Sequence, residues 1–589
     1  MIQRLRTAVL VVHGMGSQRP LETVRGVINA VWFENDDHTI GTKKLWSHPE
    51  PSGVDLDLTV MTTNNIPGSK PSRVADFHEL YWAHQMSETK AVAVLLWLFE
   101  LGRSGPNLKQ RCMNGLWWCG AIFLNLMLLS AALLAMKAFV FVGNAGDAPQ
   151  DVVIVFFGML FVGFVFAAIA SLGARYFRLL IRLAIVIAAF VLAGVLGHAL
   201  LDGSSDHAKT VAAYVFNVAS APVLALIASA LLMGWWGVRV FALTYAASLG
   251  FFALFVWLDK SLSLSGVAAR GELPWSLVED WSVIAALSVI GLYLVINAWF
   301  LQPYLGDAAR YFRNSPANVA VRRAIRKDAV NTLDQLHRSR DYDRIIVVAH
   351  SLGTVVAYDM LRAYYSRICD QIPINNFVND ADLQLVDRAK AGCDEMRAAG
   401  RRLIAKMAQD SAILADAARK GHYQPAASED VDAWLVTDFV TLGSPLTHGQ
   451  NFMVEGKNSR ELDRRFDNSV REREFPTCPP QQLDGDGRIT FKKRTTKNLC
   501  LHHGGVFGLT RWTNLFFPVV DIFWGDAIGG PLKNVFGRCI KDVPISTKVN
   551  GDTSFFTHTA YWKTDCADKR NAPHLAELVN AIDLGDTVA

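Results

Sequence analysis

Ser351 stands in Arg344-Ile-Ile-Val-Val-Ala-His-Ser-Leu-Gly-Thr-Val-Val-Ala-Tyr358, where a β-rich run meets a helical run through Ala349-His350-Ser351-Leu352-Gly353. A serine on a sharp strand-to-helix turn projects its hydroxyl above a sheet, and small residues are required two before and two after it because the backbones crowd there. Gly353 and Ala349 meet that requirement, Ala349 taking the place of the first glycine in a Gly-x-Ser-x-Gly pattern. The chemistry such a turn supports is nucleophilic attack on a carbonyl. The alternative is a serine that only caps a helix; the strand before and the helix after favour the nucleophile.

Other apparent motifs carry less. Asp484-Gly-Asp-Gly-Arg-Ile489 resembles part of a calcium loop, but setting Gly487 as its turn glycine puts Gln482 at the first ligand and Lys493 where a bidentate Glu is needed. A solvated turn is the better reading. His502 and His503 have no partner at metal spacing; with His448 they could line a cleft mouth, although surface histidines are the simpler expectation. The eight cysteines form no CxxC pair and no framework spacing, so neither zinc nor a disulfide scaffold is indicated, and a reducing compartment fits best. No metal and no organic cofactor is expected.

Alternating elements must position Ser351. Residues 7–12 read as a buried strand, 21–33 as a helix, 56–62 and 344–348 as strands, and 353–364 as a helix. This is an α/β pattern. Residues 366–429 read as a charged, Ala-rich helical excursion, and 446–501 as a polar stretch that could form a lid or cap.

Between these flanks the composition changes. The chain of 589 residues is 51% apolar and only 19% charged, against about 25% charged in soluble proteins. Six apolar stretches, 117–141, 152–172, 181–201, 211–235, 238–258 and 281–301, are long enough to cross roughly 30 Å of hydrocarbon as helices. Lys and Arg concentrate on one side of these stretches, which places both flanks in the cytoplasm. An even number of crossings returns the chain to its starting side, so strands from both flanks can join one sheet. The short apolar run at 7–12 is no secretory signal. The six stretches hold no Asp, Glu or Arg, which argues against a transporter. A net charge of +4 from 58 basic and 54 acidic residues does not suggest a nucleic-acid partner.

The flanks resemble the lipase and esterase branch of the α/β-hydrolase superfamily, especially membrane-anchored serine esterases of the GPI inositol-deacylase-like group. The resemblance rests on Val11-Val-His-Gly-Met-Gly16, Ala349-His-Ser-Leu-Gly353, Asp438-Phe-Val-Thr-Leu-Gly-Ser-Pro-Leu446, Trp512-Thr-Asn514 through Asp521, and His558-Thr-Ala-Tyr-Trp562. It implies an oxyanion hole from the backbone N–H groups of Met15 and Leu352. Gly14 and Gly16 would let that loop approach closely, with Gly353 behind the nucleophile, while His13 orients the loop and His350 packs beside the turn. It also implies the chain order serine, acid, histidine. His558 is then the base in preference to His574. Asp521, at the end of a strand-like run, is the first choice of acid, and Asp526 serves if that strand ends later.

The expectation is therefore an α/β-hydrolase fold, residues 1–110 and 304–589, interrupted at 111–303 by a six-helix transmembrane insertion. Such a protein would be integral to a plasma or inner membrane, with its hydrolase domain and both termini cytoplasmic. Its partners would be the bilayer and a lipid or acyl-ester substrate, cleaved through a Ser351/His558/Asp521 triad. A thioesterase or protein deacylase would use the same residues, and a membrane scaffold with an inactive hydrolase domain is the other class.

Overall fold

Val- and Ile-rich runs far apart in the chain pair directly, because each is apolar on both faces and is stable only where helices cover both sides of a sheet. The computed structural model describes residues 5–15, 19–32, 43–49, 59–67, 69, 72–86, 117–130, 222, 225–226, 228–230, 236–248, 288–289, 291–292, 311–312, 316–339, 341–369, 372, 374–388, 393–419, 433–450, 459–472, 474–475, 490–492, 499–520, 524–537, 539–548, 554, 556–563 and 572–585. The chain divides into two compact units, Met1–Ala93 with Pro303–Ala589, and Val94–Gln302.

The first unit holds the strands β1 (Leu5–Val12), β2 (Leu45–Pro49), β3 (Thr59–Thr63), β4 (Arg73–Leu80), β5 (Arg344–His350), β6 (Val436–Leu442), β7 (Thr490–Lys492), β8 (Leu499–Leu501), β9 (Arg511–Phe516) and β10 (Lys541–Pro544). Eight of them form one sheet in the order β10-β9-β6-β5-β1-β4-β3-β2, and β7 and β8 form a separate pair. Pairing is parallel from β10 through β4, and antiparallel at β4·β3 and β3·β2. The α/β expectation for the soluble flanks thus describes the sheet.

Side chains alternate across β5. Ile345, Val347 and Ala349 point into a core shared with α2 (Pro316–Arg338) and α3 (Leu352–Ile368), whereas Ile346 and Val348 meet the opposite layer. That opposite layer is built by α1 (Glu22–Val31) and the terminal helix Pro573–Ile582. The expected helical excursion contains the helices Ala381–Arg388 and Cys393–Arg419, and the expected cap region contains the helix Ser459–Arg471 and the β7·β8 pair. At the N-terminal ends of the central strands, fully buried Arg344 donates from Nη2 to Asp438 Oδ2 at 2.6 Å and from Nη1 to the Asp583 carbonyl at 2.9 Å, while Arg511 Nε reaches Asp438 Oδ1 at 2.5 Å. Burial works to raise the Asp438 carboxyl, but Arg344 and Arg511 outweigh it and hold it at about 2.

The six-span expectation is corrected here. Among the described residues no helix is long and apolar enough to cross a membrane. Of the second unit, residues 117–130 and 236–248 are helical and are the longest described stretches. The stretches 152–172 and 181–201 lie wholly outside the described residues. Within this unit Trp117, Ala121 and Val240 form a small buried cluster, a Cβ at Gly237 would lie 2.1 Å from the Ser229 carbonyl oxygen, and Ile122, Leu243 and Leu292 are exposed. The six-helix transmembrane insertion and the six-span integral-membrane location are therefore not supported.

Candidate active site

β5 delivers its chain to the C-terminal edge of the sheet and turns abruptly into α3, and Ser351 occupies that turn with φ 52 and ψ −130. This is a strained region for a residue with a side chain, and it persists only where neighbours hold it. Several do. The Ser351 N–H donates to the Leu442 carbonyl at 2.9 Å, and the Thr354 hydroxyl donates to the Ser351 carbonyl at 2.7 Å. Ser444 Oγ lies 2.7 Å from Thr354 Oγ1 and accepts from the Leu446 N–H at 3.3 Å, which links the Gly443-Ser444-Pro445 turn after β6 to the Ser351 turn. At Gly353 a Cβ would sit 2.2 Å from the His13 carbonyl oxygen, so the small residue is needed for β1 to come this close.

Ser351 Oγ donates to His558 Nε2 at 2.8 Å, and His558 Nδ1 donates to Asp526 at 2.9 Å (Oδ1) and 3.0 Å (Oδ2). The carboxylate is itself clamped. Its Oδ1 accepts from the N–H groups of Ile528 and Gly529 at 2.9 and 3.0 Å, and its Oδ2 accepts from the Tyr561 hydroxyl at 2.7 Å. Burial works to raise the Asp526 carboxyl, yet His558 and these donors prevail and bring it down to about 2, whereas burial beside Asp526 drives the Tyr561 hydroxyl well above its usual value. Ser351, His558 and Asp526 are 1%, 2% and 0% exposed, so all three side chains are shielded from bulk water.

The acid reaches this place by a longer route than a strand end. β9 stops at Phe516, and the chain folds back so that Val520 N–H donates to the Trp524 carbonyl at 3.1 Å. Gly525, at φ +99, then runs beside the histidine segment, donating to Ser554 O at 3.0 Å and accepting from Thr557 N at 3.1 Å. Asp526 follows immediately. Asp521, the first choice from sequence, lies outside the described residues, and the carboxylate bonded to His558 is Asp526. His574 is buried elsewhere and its Nε2 donates to the Lys563 carbonyl at 3.1 Å.

The His13-Gly14-Met15 turn follows β1, whose Val12 pairs with Ala349 of β5. A Cβ at Gly14 would lie 2.9 Å from His350 Nδ1 and 3.0 Å from Ser351 Cβ, so the turn presses directly on His350 and Ser351. Met15 and Leu352, the expected oxyanion residues, are both buried on either side of this contact; Gly16 lies outside the described residues. His13 is stacked on Trp82, donates from Nδ1 to the Gly14 carbonyl at 2.8 Å, and accepts at Nε2 from the Trp82 N–H at 3.0 Å. Burial pushes it down to about 4, which suits a neutral brace for the loop and not a base.

Sequence reasoning missed Tyr561 and the Thr354–Ser444 pair, although both lie within motifs it singled out. It also placed His448 at the surface. That side chain is buried, and its Nε2 donates to the Ala527 carbonyl at 3.3 Å, supporting the loop that carries Asp526. Among the described residues no His, Cys, Asp and Glu side chains are grouped to hold a metal ion. No protein-family model matches the chain, and no curated protein or solved structure is significantly similar to it.

Proposed function

We propose that this chain is a serine hydrolase of the α/β-hydrolase type that cleaves carboxylic esters of apolar acyl groups through an acyl-enzyme. The observation that carries this reading is the unbroken line of hydrogen bonds from Ser351 Oγ through the His558 ring to Asp526, at 2.8 and 2.9 Å. The three side chains meet in the serine–histidine–carboxylate order that nucleophilic catalysis uses, and a carboxylate at Nδ1 favours the tautomer that leaves Nε2 free to accept the serine proton.

Ser351 Oγ attacks the ester carbonyl carbon while its proton passes to His558 Nε2. The charge that develops on the carbonyl oxygen falls to the N–H groups of Met15 and Leu352. The C–O bond then breaks, and the alcohol leaves with the proton held by His558. Water attacks the acyl-serine, returns a proton to His558 and then to Ser351, and releases the carboxylic acid. Asp526, ionised throughout, fixes the Nδ1–H tautomer and stabilises the imidazolium in both halves.

An apolar acyl group is favoured by Val520, Trp524 and Phe556, which are 71%, 45% and 40% exposed on the two segments that bring in Asp526 and His558. Thioesters and acylated proteins present the same carbonyl chemistry, and a graded substrate series separates them.

The test is labelling by a fluorophosphonate together with hydrolysis of acyl esters and thioesters of graded chain length, in wild type and Ser351→Ala. Turnover falls by on the order of 10⁶ in the variant, and labelling disappears. A folded wild type that neither labels nor hydrolyses any member of the series refutes the reading.

A further inference from the structure

We infer that His350, the residue before the nucleophile, is a positioning residue that registers the general base on the nucleophile's own strand. The inference rests on the reading of Ser351 and His558 as nucleophile and base. His350 Nε2 donates to the main-chain carbonyl of His558 at 2.8 Å. The grip is therefore on the backbone of the base, while the ring of His558 is left to Ser351 and Asp526.

The base needs such a grip. His558 sits in a 3-10 turn of three residues, Thr557–Thr559, entered through Phe556 at φ 43. A single turn of this kind has poor intrinsic stability. β5, by contrast, is buried along its whole length and paired on both sides, by β1 and β6. Because His350 ends that strand and Ser351 follows it, one hydrogen bond ties the position of the histidine turn to the position of the attacking oxygen. Any drift of one element relative to the other is resisted where it would lengthen the Ser351–His558 contact.

The His350 ring is held so that it can act this way. It meets the indole of Trp562 edge to face at 4.7 Å between centroids and lies 5.0 Å from the His558 ring. Trp562 is in turn seated on α1, where a Cβ at Gly26 would lie 2.3 Å from its Cδ1. Donation from Nε2 fixes the neutral tautomer with the lone pair on Nδ1, toward Gly14. Burial, with His558 alongside, pushes His350 down to about 3, so the ring stays neutral while His558 cycles through its cation.

The test compares wild type, His350→Phe and His350→Gln by two readouts. One is the far-downfield proton resonance of the His558–Asp526 hydrogen bond, which needs no substrate; the other is the rate of fluorophosphonate labelling. Displacement of a reacting group by about 1 Å costs on the order of 10²-fold. Phe keeps the ring packing and removes the donor, so labelling slows by about 10- to 100-fold and the downfield proton is lost or broadened. Gln restores an N–H at similar reach, so labelling returns to within about fivefold of wild type and the resonance persists.

The inference is overturned if the Phe variant labels within twofold of wild type and keeps the resonance, or if a folded Gln variant is as impaired as Phe. Should the Phe variant unfold, the Gln variant decides alone by the same criteria. A wild type that shows the downfield proton yet neither labels nor hydrolyses any ester or thioester of the series refutes the hydrolase reading, and the resonance in the two variants then decides the role of His350.

Discussion

Asp521 and Asp526 are five residues apart, and the difference between them is one of chain path. A carboxylate placed at the end of a strand-like run looks correctly positioned from sequence, but β9 stops at Phe516 and the acid is supplied only after the chain has folded back along the histidine segment. Asp526→Asn should lower kcat by about 10⁴ with KM little changed, because the wrong imidazole tautomer is stabilised. Asp521→Asn should stay near wild type in the same assay. The carboxyl of Asp526 is held at about 2, below its ordinary 3.8, so its ionised form adds to stability above the ordinary value and that contribution is withdrawn as pH falls toward 2. The Asn variant should accordingly show a shallower acid-induced fall in Tm over that window, measured by thermal unfolding at stepped pH.

At the scale of elements, the entry to α1 carries a load of opposite sign. Leu21 caps this helix in the left-handed region at φ 64, and its N–H donates to Glu79 Oε2 at 2.5 Å; Glu79, near the end of β4, is buried and its other oxygen has no hydrogen-bond partner among the described residues. Burial, opposed by the Leu21 donor, raises this carboxyl from 4.5 to about 7. The folded state thus retains a proton that the unfolded chain has already lost, so stability declines as pH rises through that window and levels off above it. Glu79→Gln keeps an acceptor for Leu21 without the charge. Its Tm should exceed that of wild type at pH 8 and match it at pH 4; equal effects at both values would refute the assignment.

Elements also show what was legible in the sequence. Continuous apolar runs flanking Ser351 reveal the strand, the turn and the helix, because local crowding dictates small residues at 349 and 353. His558 could be chosen by order and by its aromatic neighbours. The loop that delivers Asp526 could not, since its course depends on Gly525 pairing with Ser554 and Thr557, contacts between segments with no periodic signature. Tyr561 was hidden for a related reason: an aromatic residue beside a histidine reads as packing until its hydroxyl is seen on the carboxylate.

For the whole molecule, hydropathy and charge placement carry different information. Hydropathy registers how much apolar surface must be removed from water, and it does not say whether lipid or protein removes it. Charge placement tells more. The buried group of Arg344, Arg511 and Asp438 joins β5, β6 and β9 and, through the Asp583 carbonyl, the end of the terminal helix. Asp438→Asn strands Arg344 in the interior and should destabilise the fold by about 3–5 kcal/mol, read from urea unfolding. A change below 1 kcal/mol would show the group to be dispensable.

The adjacency of β1 and β5 also governs how the polypeptide comes into being. Arg6 and Asp343 hydrogen-bond across the start of these strands although they are 337 residues apart. At about 5–20 residues per second of synthesis, β1 emerges from the ribosome roughly 20–70 s before its neighbour exists. Throughout that interval its Val-rich edge is unpaired, and the nascent chain has to be kept from pairing with others. Recovery of the native protein should therefore depend more on holdase chaperones and on dilution than the stability of the finished sheet would suggest.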